Sequence, residues 1–153
     1  MLGGFDAWLT SSVGGLDSMI NGTVAGWRHI KARVSPGVLS ALKKSSFVKH
    51  TRFGDVKMSW TFDGSSLKTD LTLPVGTEAA FHTPSSLRSE GGKRLVSLAE
   101  GDATDSDHKT LMWTVAEPGA LHTSPWALEN SAESHAVIAT VGSGRYHFVA
   151  RYE

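Results

Sequence analysis

Cysteine is absent from the 153-residue chain, which excludes disulfide bonds, thiolate-bound zinc and thiol catalysis. No apolar run approaches the roughly 18 to 20 residues that a membrane-spanning helix requires. Charge of one sign is not in excess either, because 15 basic residues are balanced by 15 acidic residues. The composition therefore predicts one globular domain and gives no net electrostatic attraction to nucleic acid or to an anionic membrane.

The N-terminal sequence lacks the features of a secretory signal. No basic residue precedes its first apolar residues, and the acidic Asp6 interrupts them. Asn21, Gly22 and Thr23 form a glycosylation sequon, which would matter only in a secreted protein. The residues alone therefore assign no compartment.

Strand periodicity is clearest in residues 54–84. Large apolar residues alternate with polar ones on both sides of Asp63-Gly64, namely Val56, Met58, Trp60, Phe62, Leu67, Leu71 and Leu73. Successive strand side chains point to opposite faces, so this pattern predicts two strands that share one buried face. Asp-Gly favours a tight reversal, because glycine tolerates a positive φ. We therefore predict an antiparallel hairpin in which Trp60 is a core residue and Pro74 ends the second strand.

Residues 2–20 are predicted to form one N-terminal helix. Apolar residues recur there at spacings of three and four, which gathers them on one face: Leu2, Phe5, Trp8, Leu9, Val13, Leu16, Met19 and Ile20. Gly14-Gly15 predicts a break or kink, since an interior glycine costs about 1 kcal/mol relative to alanine. The apolar face is wide for a terminal helix, so we expect it to pack on something larger than the rest of the chain.

Further strands are predicted from alternation in residues 27–34, 47–52, 77–83, 95–98 and 111–116. Residues 38–44 fit either a helical turn or a short strand, and residues 123–134 are predicted to be irregular. Residues 135–152 predict a second hairpin, with its turn at Gly142-Ser143-Gly144. Seven to nine strands separated by turn signals predict an all-β fold: an antiparallel, jelly-roll-like β-sandwich with one N-terminal helix.

No self-contained catalytic constellation is visible in the sequence. The seven histidines do not stand at metal-ligand spacings, so surface positions are predicted for them: His29, His50, His82, His108, His122, His135 and His147. Residues 102–108 are acidic but lack the glycine and the terminal glutamate of an EF-hand loop, and Ser143 lacks the pattern around a serine nucleophile. No two carboxylates stand in a pattern that identifies a glycosidase pair. We therefore predict no catalytic residue, no metal and no cofactor.

Sugar binding by exposed aromatic residues is the remaining functional prediction from the residues alone. A flat ring can cover the apolar face of a pyranose while nearby polar groups bond to its hydroxyls. Trp113 and Trp126 lie beside predicted loops and have His122 and Asn130 as polar neighbours in the sequence. These four are the candidate carbohydrate-binding residues, while the two tryptophans also fit a purely structural position at the ends of the sandwich.

Three stretches together carry a resemblance to a known family. They are residues 1–17 with 26–30 and Ser35-Pro36, the Trp60 hairpin with residues 71–80, and the closing residues 141–148. Their order and spacing resemble the end of the catalytic helical barrel and the following C-terminal β-domain in α-L-rhamnosidases of glycoside hydrolase family 78. The resemblance covers nearly the whole chain.

The resemblance implies a domain without catalytic residues, because that family's catalytic acids lie in the (α/α)6 barrel, upstream of every matching stretch. It implies that residues 1–22 correspond to the end of the barrel and residues 23–153 to the β-sandwich domain. It also implies an extracellular protein.

The leading functional hypothesis is a non-catalytic accessory domain that acts, in the absence of the barrel, by binding. The alternatives are a lectin-like module for rhamnose-bearing glycans and a secreted protein-interaction domain, with an active enzyme as the last option. The expected partner is a carbohydrate or a protein, and not nucleic acid or a membrane. Residues 2–20 are expected to pack on a partner or on another copy of the chain.

Overall fold

In the computed structural model, the chain forms two β-sheets. The structure describes residues 5, 8–19, 26–87, 91–101, 110–114, 127–131 and 136–153, and for 110–114 and 127–131 the backbone alone. Helical structure in these ranges includes a π-helical turn, Leu9–Val13, and α1, Pro36–Leu42, and the described residues Phe5 and Trp8 are α-helical as well. The strands are β1 (Leu16–Ser18), β2 (His29–Arg33), β3 (Lys44–Thr51), β4 (Gly54–Phe62), β5 (Ser66–Leu73), β6 (Glu78–Pro84), β7 (Ser86–Leu87), β8 (Lys93–Glu100), β9 (Thr110–Thr114), β10 (Ala127–Ser131), β11 (Ala136–Val141) and β12 (Gly144–Tyr152).

The strands form one five-stranded and one seven-stranded sheet. The first has the order β1-β2-β6-β11-β10, and the second has the order β3-β4-β5-β12-β8-β7 with β9 paired to β8. Pairing is antiparallel throughout the described strands, apart from the parallel pair β2 and β6. The predicted all-β sandwich is therefore confirmed.

The inner faces of the two sheets share one hydrophobic core. The aromatic ring of Phe81 on β6 stacks on that of Phe148 on β12 across the core, with 4.4 Å between their centroids. Trp60 is buried, as predicted, and so are the other alternating residues of the central hairpin: Val56, Met58, Phe62, Leu67, Leu71 and Leu73. Burial of such side chains contributes about 1.5 to 3 kcal/mol each, which makes this stripe a principal source of stability.

The predicted hairpin turn at Asp63-Gly64 is also confirmed. β4 and β5 pair antiparallel, with Phe62 opposite Leu67. Asp63 Oδ1 accepts the backbone N–H groups of Ser65 at 2.9 Å and Ser66 at 2.7 Å. The Ser65 hydrogen bond is the main cause that holds the pKa of the Asp63 carboxyl below its ordinary value. Gly64 adopts a φ of +99°, so the turn uses the residue types that the sequence supplies.

The N-terminal helix predicted for residues 2–20 is wrong at Leu16–Ser18, while residues 2–4, 6, 7 and 20 of that prediction lie outside the described residues. Leu9–Val13 is helical, but after the two glycines the chain forms β1, which pairs with β2. Gly15 adopts a φ of +75°, and its carbonyl accepts the Arg33 N–H at 2.8 Å. The chain therefore turns into the sheet at the predicted break, and Leu16 is apolar because it lies in the sandwich core.

The open alternative at residues 38–44 is resolved in favour of a helix. α1 begins with Pro36, whose missing N–H is not needed in a first helical turn. It ends at Lys43, where φ is +60° and the backbone N–H bonds to the Leu39 carbonyl at 3.2 Å. Leu39 is fully buried, which anchors this connection from one sheet to the other. No helix in the described ranges is long and apolar enough to span a membrane.

The second predicted hairpin is wrong as a pairing, although both of its strands exist. β11 pairs with β6 and β10 in one sheet, whereas β12 pairs with β5 and β8 in the other. The turn at residues 142–144 therefore carries the chain from one sheet to the other. The Tyr146 hydroxyl donates to the Gly142 carbonyl at 2.9 Å and stabilises this crossing. The two apolar stripes match because they face a common core rather than because they lie side by side.

One segment predicted to be irregular contains a strand. β10 pairs with β11 from Ala127 opposite Thr140 to Ser131 opposite Ala136, at one edge of the five-stranded sheet. The backbone ladder requires no apolar alternation in the edge strand, so the polar sequence of this segment concealed it. β8 is likewise longer than the predicted strand at residues 95–98.

Candidate functional site

The outer face of the seven-stranded sheet aligns polar side chains from four adjacent strands. Ser46 on β3 lies opposite Ser59 on β4, and Ser59 lies opposite Asp70 on β5. Asp70 in turn lies opposite His147 on β12. Side chains directly opposite one another in antiparallel strands have Cβ atoms about 4.5 to 5.5 Å apart. We call these four residues the central row.

His147 fixes the carboxylate of Asp70. The distance between Nδ1 of the imidazole and Oδ1 of the carboxylate is 2.6 Å, so the ring nitrogen donates to the carboxylate. Nε2 is buried and has no hydrogen-bond partner in the described part of the chain. Ser59 lies on the opposite side of Asp70 from His147, so the imidazole is not placed to take a proton from that serine. The row therefore does not have the geometry of a serine, histidine and aspartate triad.

Basic side chains flank the central row on both sides. Lys57 and Arg145 belong to the neighbouring row on one side, and Lys44 and Lys68 belong to the row on the other. Arg151 lies one row further along β12, and all five side chains are exposed. We call this surface the basic face, and define it by Lys44, Lys57, Lys68, Arg145 and Arg151.

A groove of about 540 Å³ opens at the central row. Its lining residues are Lys44, Ser45, Ser46, Ser59, Trp60, Thr61 and Asp70. The lining combines hydroxyls that both donate and accept, an ammonium that donates and a carboxylate that accepts. The volume lies within the range of about 300 to 1,000 Å³ that is typical of small-molecule sites.

The outer face of the five-stranded sheet has a smaller cavity of about 130 Å³. It is lined by Met19, His29, Ile30, Glu78, Ala79, Ala80 and Thr140. His29 Nδ1 lies 2.5 Å from Glu78 Oε1 within this lining. On the same face, the pKa of His82 is lowered to about 4, mainly by burial and to a smaller extent by the charges of Lys31 and Arg33. The cavity is too small for a typical organic ligand, so the groove is the better candidate site.

The four described histidines lie on outer sheet faces, as predicted, and three of them bond to a carboxylate. Besides the two pairs above, His50 Nδ1 lies 2.7 Å from Asp55 Oδ1, and this hydrogen bond is the main cause that lowers the pKa of Asp55. His108, His122 and His135 lie outside the described residues. Within the described residues, no three histidine or carboxylate side chains are grouped so that they could hold a metal ion.

The residues predicted from sequence to bind carbohydrate are not brought together by the described structure. Trp126 and His122 lie outside the described residues. Trp113 falls on β9 and Asn130 on β10, which belong to different sheets and are described by backbone alone. This site therefore stays a prediction. Sequence reasoning did not select the central row, although the alternating polar positions of the hairpin were its signal.

Comparison with known families identifies the domain. The profile of the bacterial alpha-L-rhamnosidase C-terminal domain matches residues 20–96, just over half of the chain. The chain belongs to this family. The matched range of the rhamnosidase C-terminal domain contains every residue that lines the groove, whereas His147 lies beyond it.

Two solved structures share the fold. The alpha-L-rhamnosidase from Dictyoglomus thermophilum is 20% identical with a TM-score of 0.66, and the match covers 96% of this chain and 13% of that one. The Streptomyces avermitilis alpha-L-rhamnosidase complexed with L-rhamnose is 15% identical with a TM-score of 0.59, and the match covers 93% of this chain and 10% of that one. No curated protein matches the chain. The chain thus spans about a tenth of the length of these solved relatives.

Proposed function

We propose that the chain is a non-catalytic accessory β-domain of an α-L-rhamnosidase and that it acts by binding. The observation that carries the proposal is the family match, which is to the C-terminal domain of these enzymes. The fold likeness supports it, because it covers 96% of this chain but only 13% of the Dictyoglomus enzyme. An extracellular location, implied by the sequence resemblance, remains a prediction.

The placement of the carboxylates at the candidate site favours binding over hydrolysis. A glycosidase holds two carboxyl groups about 5 to 10 Å apart across the scissile bond. Asp55 and Asp70 are the two carboxylates on the outer surface of strands β3, β4, β5 and β12. They lie on adjacent strands four residues out of register, or about 14 Å apart at Cα. Each also bonds to a histidine, so neither is placed to act as a free acid beside the other.

An exposed aromatic pair supports a docking role for the N-terminal segment. Phe5 and Trp8 are 61% and 54% exposed, and their rings stack with centroids 6.2 Å apart. Exposed neighbouring aromatics often mark an interaction site. We assign this pair to contact with the remainder of a rhamnosidase polypeptide, because the solved relatives continue far beyond the matched domain.

The proposal is tested by hydrolysis of an aryl α-L-rhamnoside by the purified chain, with L-rhamnose binding followed by calorimetry on the same sample. We expect no hydrolysis, and turnover above that of a heat-denatured sample would contradict the proposal. Rhamnose binding without turnover would favour the lectin-like alternative. In that case Trp113→Ala and Trp126→Ala should abolish binding without a large loss of thermal stability.

The exposed apolar surface of the aromatic pair, on which its docking role depends, has a separate test. The double variant Phe5→Ser and Trp8→Ser should melt within about 2 °C of the parent chain, because exposed side chains contribute little to stability. It should also bind less of a hydrophobic fluorescent dye than the parent does. Leu39→Ser, at a buried position, is the control that should unfold the chain readily. Unchanged dye binding in the double variant would contradict the assignment.

A further inference from the structure

We propose that the basic face and its groove bind an acidic oligosaccharide, with the flanking cations holding the sugar carboxylates and the central row bonding to the sugar hydroxyls. This inference rests on the proposed binding function and names its ligand class. It depends on the segregation of charge, on the position of the central row between cations, and on the mixed donors and acceptors of the groove.

Charge is segregated in a chain that is neutral as a whole, with 15 basic and 15 acidic residues. The five cations of the basic face share their surface with Asp55 and Asp70. The outer face of the five-stranded sheet is balanced by comparison: on β1, β2, β6 and β11, whose side chains are described, Lys31 and Arg33 accompany Asp17 and Glu78.

Nearby carboxylates offset the excess positive charge of the basic face only in part. The charge of Lys57 helps to lower the pKa of Asp55, and that of Lys68 helps to lower the pKa of Asp63 at the hairpin turn. Lys44 lies at the β3 end of one flanking row and Arg145 lies at the β12 end of the other, and both add positive charge. Exposed charges that are closer than a Debye length, about 10 Å at 0.1 M salt, act together. The surface therefore attracts anions locally.

The cations lie where a ligand along the central row would meet them. Residues two positions apart on a strand are about 7 Å apart and point to the same face. Lys57 and Lys68 therefore lie about 7 Å to either side of the line that joins Ser59 and Asp70. A ligand seated on the row can place carboxylates toward either side without leaving the groove.

The groove is built to recognise hydroxyls as well as charge. Asp70 accepts one bond from His147 at Oδ1, which leaves Oδ2 and further lone pairs for ligand hydroxyls. Ser46, Ser59 and Thr61 can each donate and accept. A polyphosphate would place negative charge against Asp70 and offer no hydroxyl to it. A saccharide with carboxylates set apart from its hydroxyls meets both requirements.

The ligand class is tested by calorimetry with oligogalacturonate and with its methyl ester, which has the same backbone without the charge. We expect the acid to bind at least about ten-fold more tightly than the ester, because a charge-assisted hydrogen bond is worth about one order of magnitude or more in affinity. Equal affinity for the ester would overturn the proposal. Tighter binding of inorganic polyphosphate or of single-stranded RNA than of the acid would also overturn it.

The location is tested by two variants with the same change in charge. Lys44→Gln with Lys68→Gln should weaken binding of oligogalacturonate at least about ten-fold. Lys31→Gln with Arg33→Gln, on the opposite face, should leave the affinity within about two-fold of the parent. Circular dichroism checks that both variants are folded. An equal loss of affinity in the two variants would show non-specific electrostatic attraction rather than a defined binding site, and it would overturn the proposal.

Asp70→Asn separates sugar recognition from simple attraction of anions. If Asp70 accepts sugar hydroxyls, the variant should bind oligogalacturonate several-fold more weakly. If the face only attracts negative charge, removal of Asp70 should strengthen binding, and that result would overturn the proposal. The hydrolysis assay stands apart from these measurements. Failure of oligogalacturonate to bind would overturn this inference alone, whereas turnover of the aryl rhamnoside would overturn the proposed function.

Discussion

Gly15 is the point at which the N-terminal helix prediction is wrong, and its replacement by alanine gives the sharpest test of the fold. The residue adopts a φ of +75°, which disfavours any side chain. An alanine Cβ at this position would lie 2.1 Å from the Arg33 carbonyl oxygen. The same pair of residues carries the 2.8 Å bond from the Arg33 N–H to the Gly15 carbonyl. The backbone must therefore shift where β1 joins the sheet.

Two contributions set the magnitude of the loss. A left-handed conformation costs a non-glycine residue about 1 to 2 kcal/mol. The shift also breaks or weakens a backbone hydrogen bond beside the buried Leu16, which costs about 1 to 3 kcal/mol if the groups remain unpaired. The sum is about 3 kcal/mol, which corresponds to about 6 to 12 °C in melting temperature for a chain of this size.

Two other glycines provide matched controls for the same substitution. Gly64→Ala would meet no atom within 4 Å but keeps a φ of +99°, so only the conformational cost of about 1 to 2 kcal/mol applies. Gly37→Ala in α1 meets no atom either and has no positive φ, so it should stabilise the chain by about 0.5 to 1 kcal/mol. Urea unfolding followed by tryptophan fluorescence measures all three. A smaller loss for Gly15→Ala than for Gly64→Ala would refute the steric reasoning.

Two further predictions concern the core and the dependence of stability on pH. Phe148→Ala removes the ring that stacks on Phe81 between the two sheets and should lower the free energy of unfolding by about 3 to 5 kcal/mol; a loss below 1 kcal/mol in urea unfolding would contradict the described core. His82 has a pKa of about 4 in the folded chain, below its ordinary 6.5. Between about pH 4 and pH 6.5, the imidazole is therefore protonated in the unfolded chain but neutral in the folded chain. Stability should therefore fall as the pH decreases from about 6.5 to 4, and His82→Gln should make that fall smaller; an identical pH profile for the variant would count against the burial of this imidazole.

The sequence predicted which side chains point inward more reliably than which strands are neighbours. Alternation identified the buried face of the central hairpin, and the turn at Asp63-Gly64 set the pairing of β4 with β5. The same kind of alternation in residues 135–152 led to a wrong pairing. Alternation of apolar and polar residues shows which face of a strand is buried, but it does not show which strand lies beside it. Two strands on opposite sides of a core have the same pattern as two strands side by side. The glycines at 142 and 144 are compatible with either arrangement.

The candidate site shows the same limit. The pairing of Ser59 with Asp70 follows from the hairpin register and could have been derived from the turn. The contact between Asp70 and His147 joins residues 77 positions apart, and it depends on the placement of β12 beside β5. No local pattern predicts such a register, because it is set by the packing of the whole sheet. The central row was therefore visible only in part from the sequence.

Neutral composition conceals the basic face for a related reason. Equal numbers of acidic and basic residues exclude a strong field of the whole protein, but they do not fix where each charge lies. At 0.1 M salt an exposed charge acts over about 10 Å, which is the width of about two strand spacings. A ligand on the central row is therefore affected by Lys57 and Lys68 far more than by the acidic residues of the other sheet. Strand order, and not composition, decides whether this surface attracts an anion.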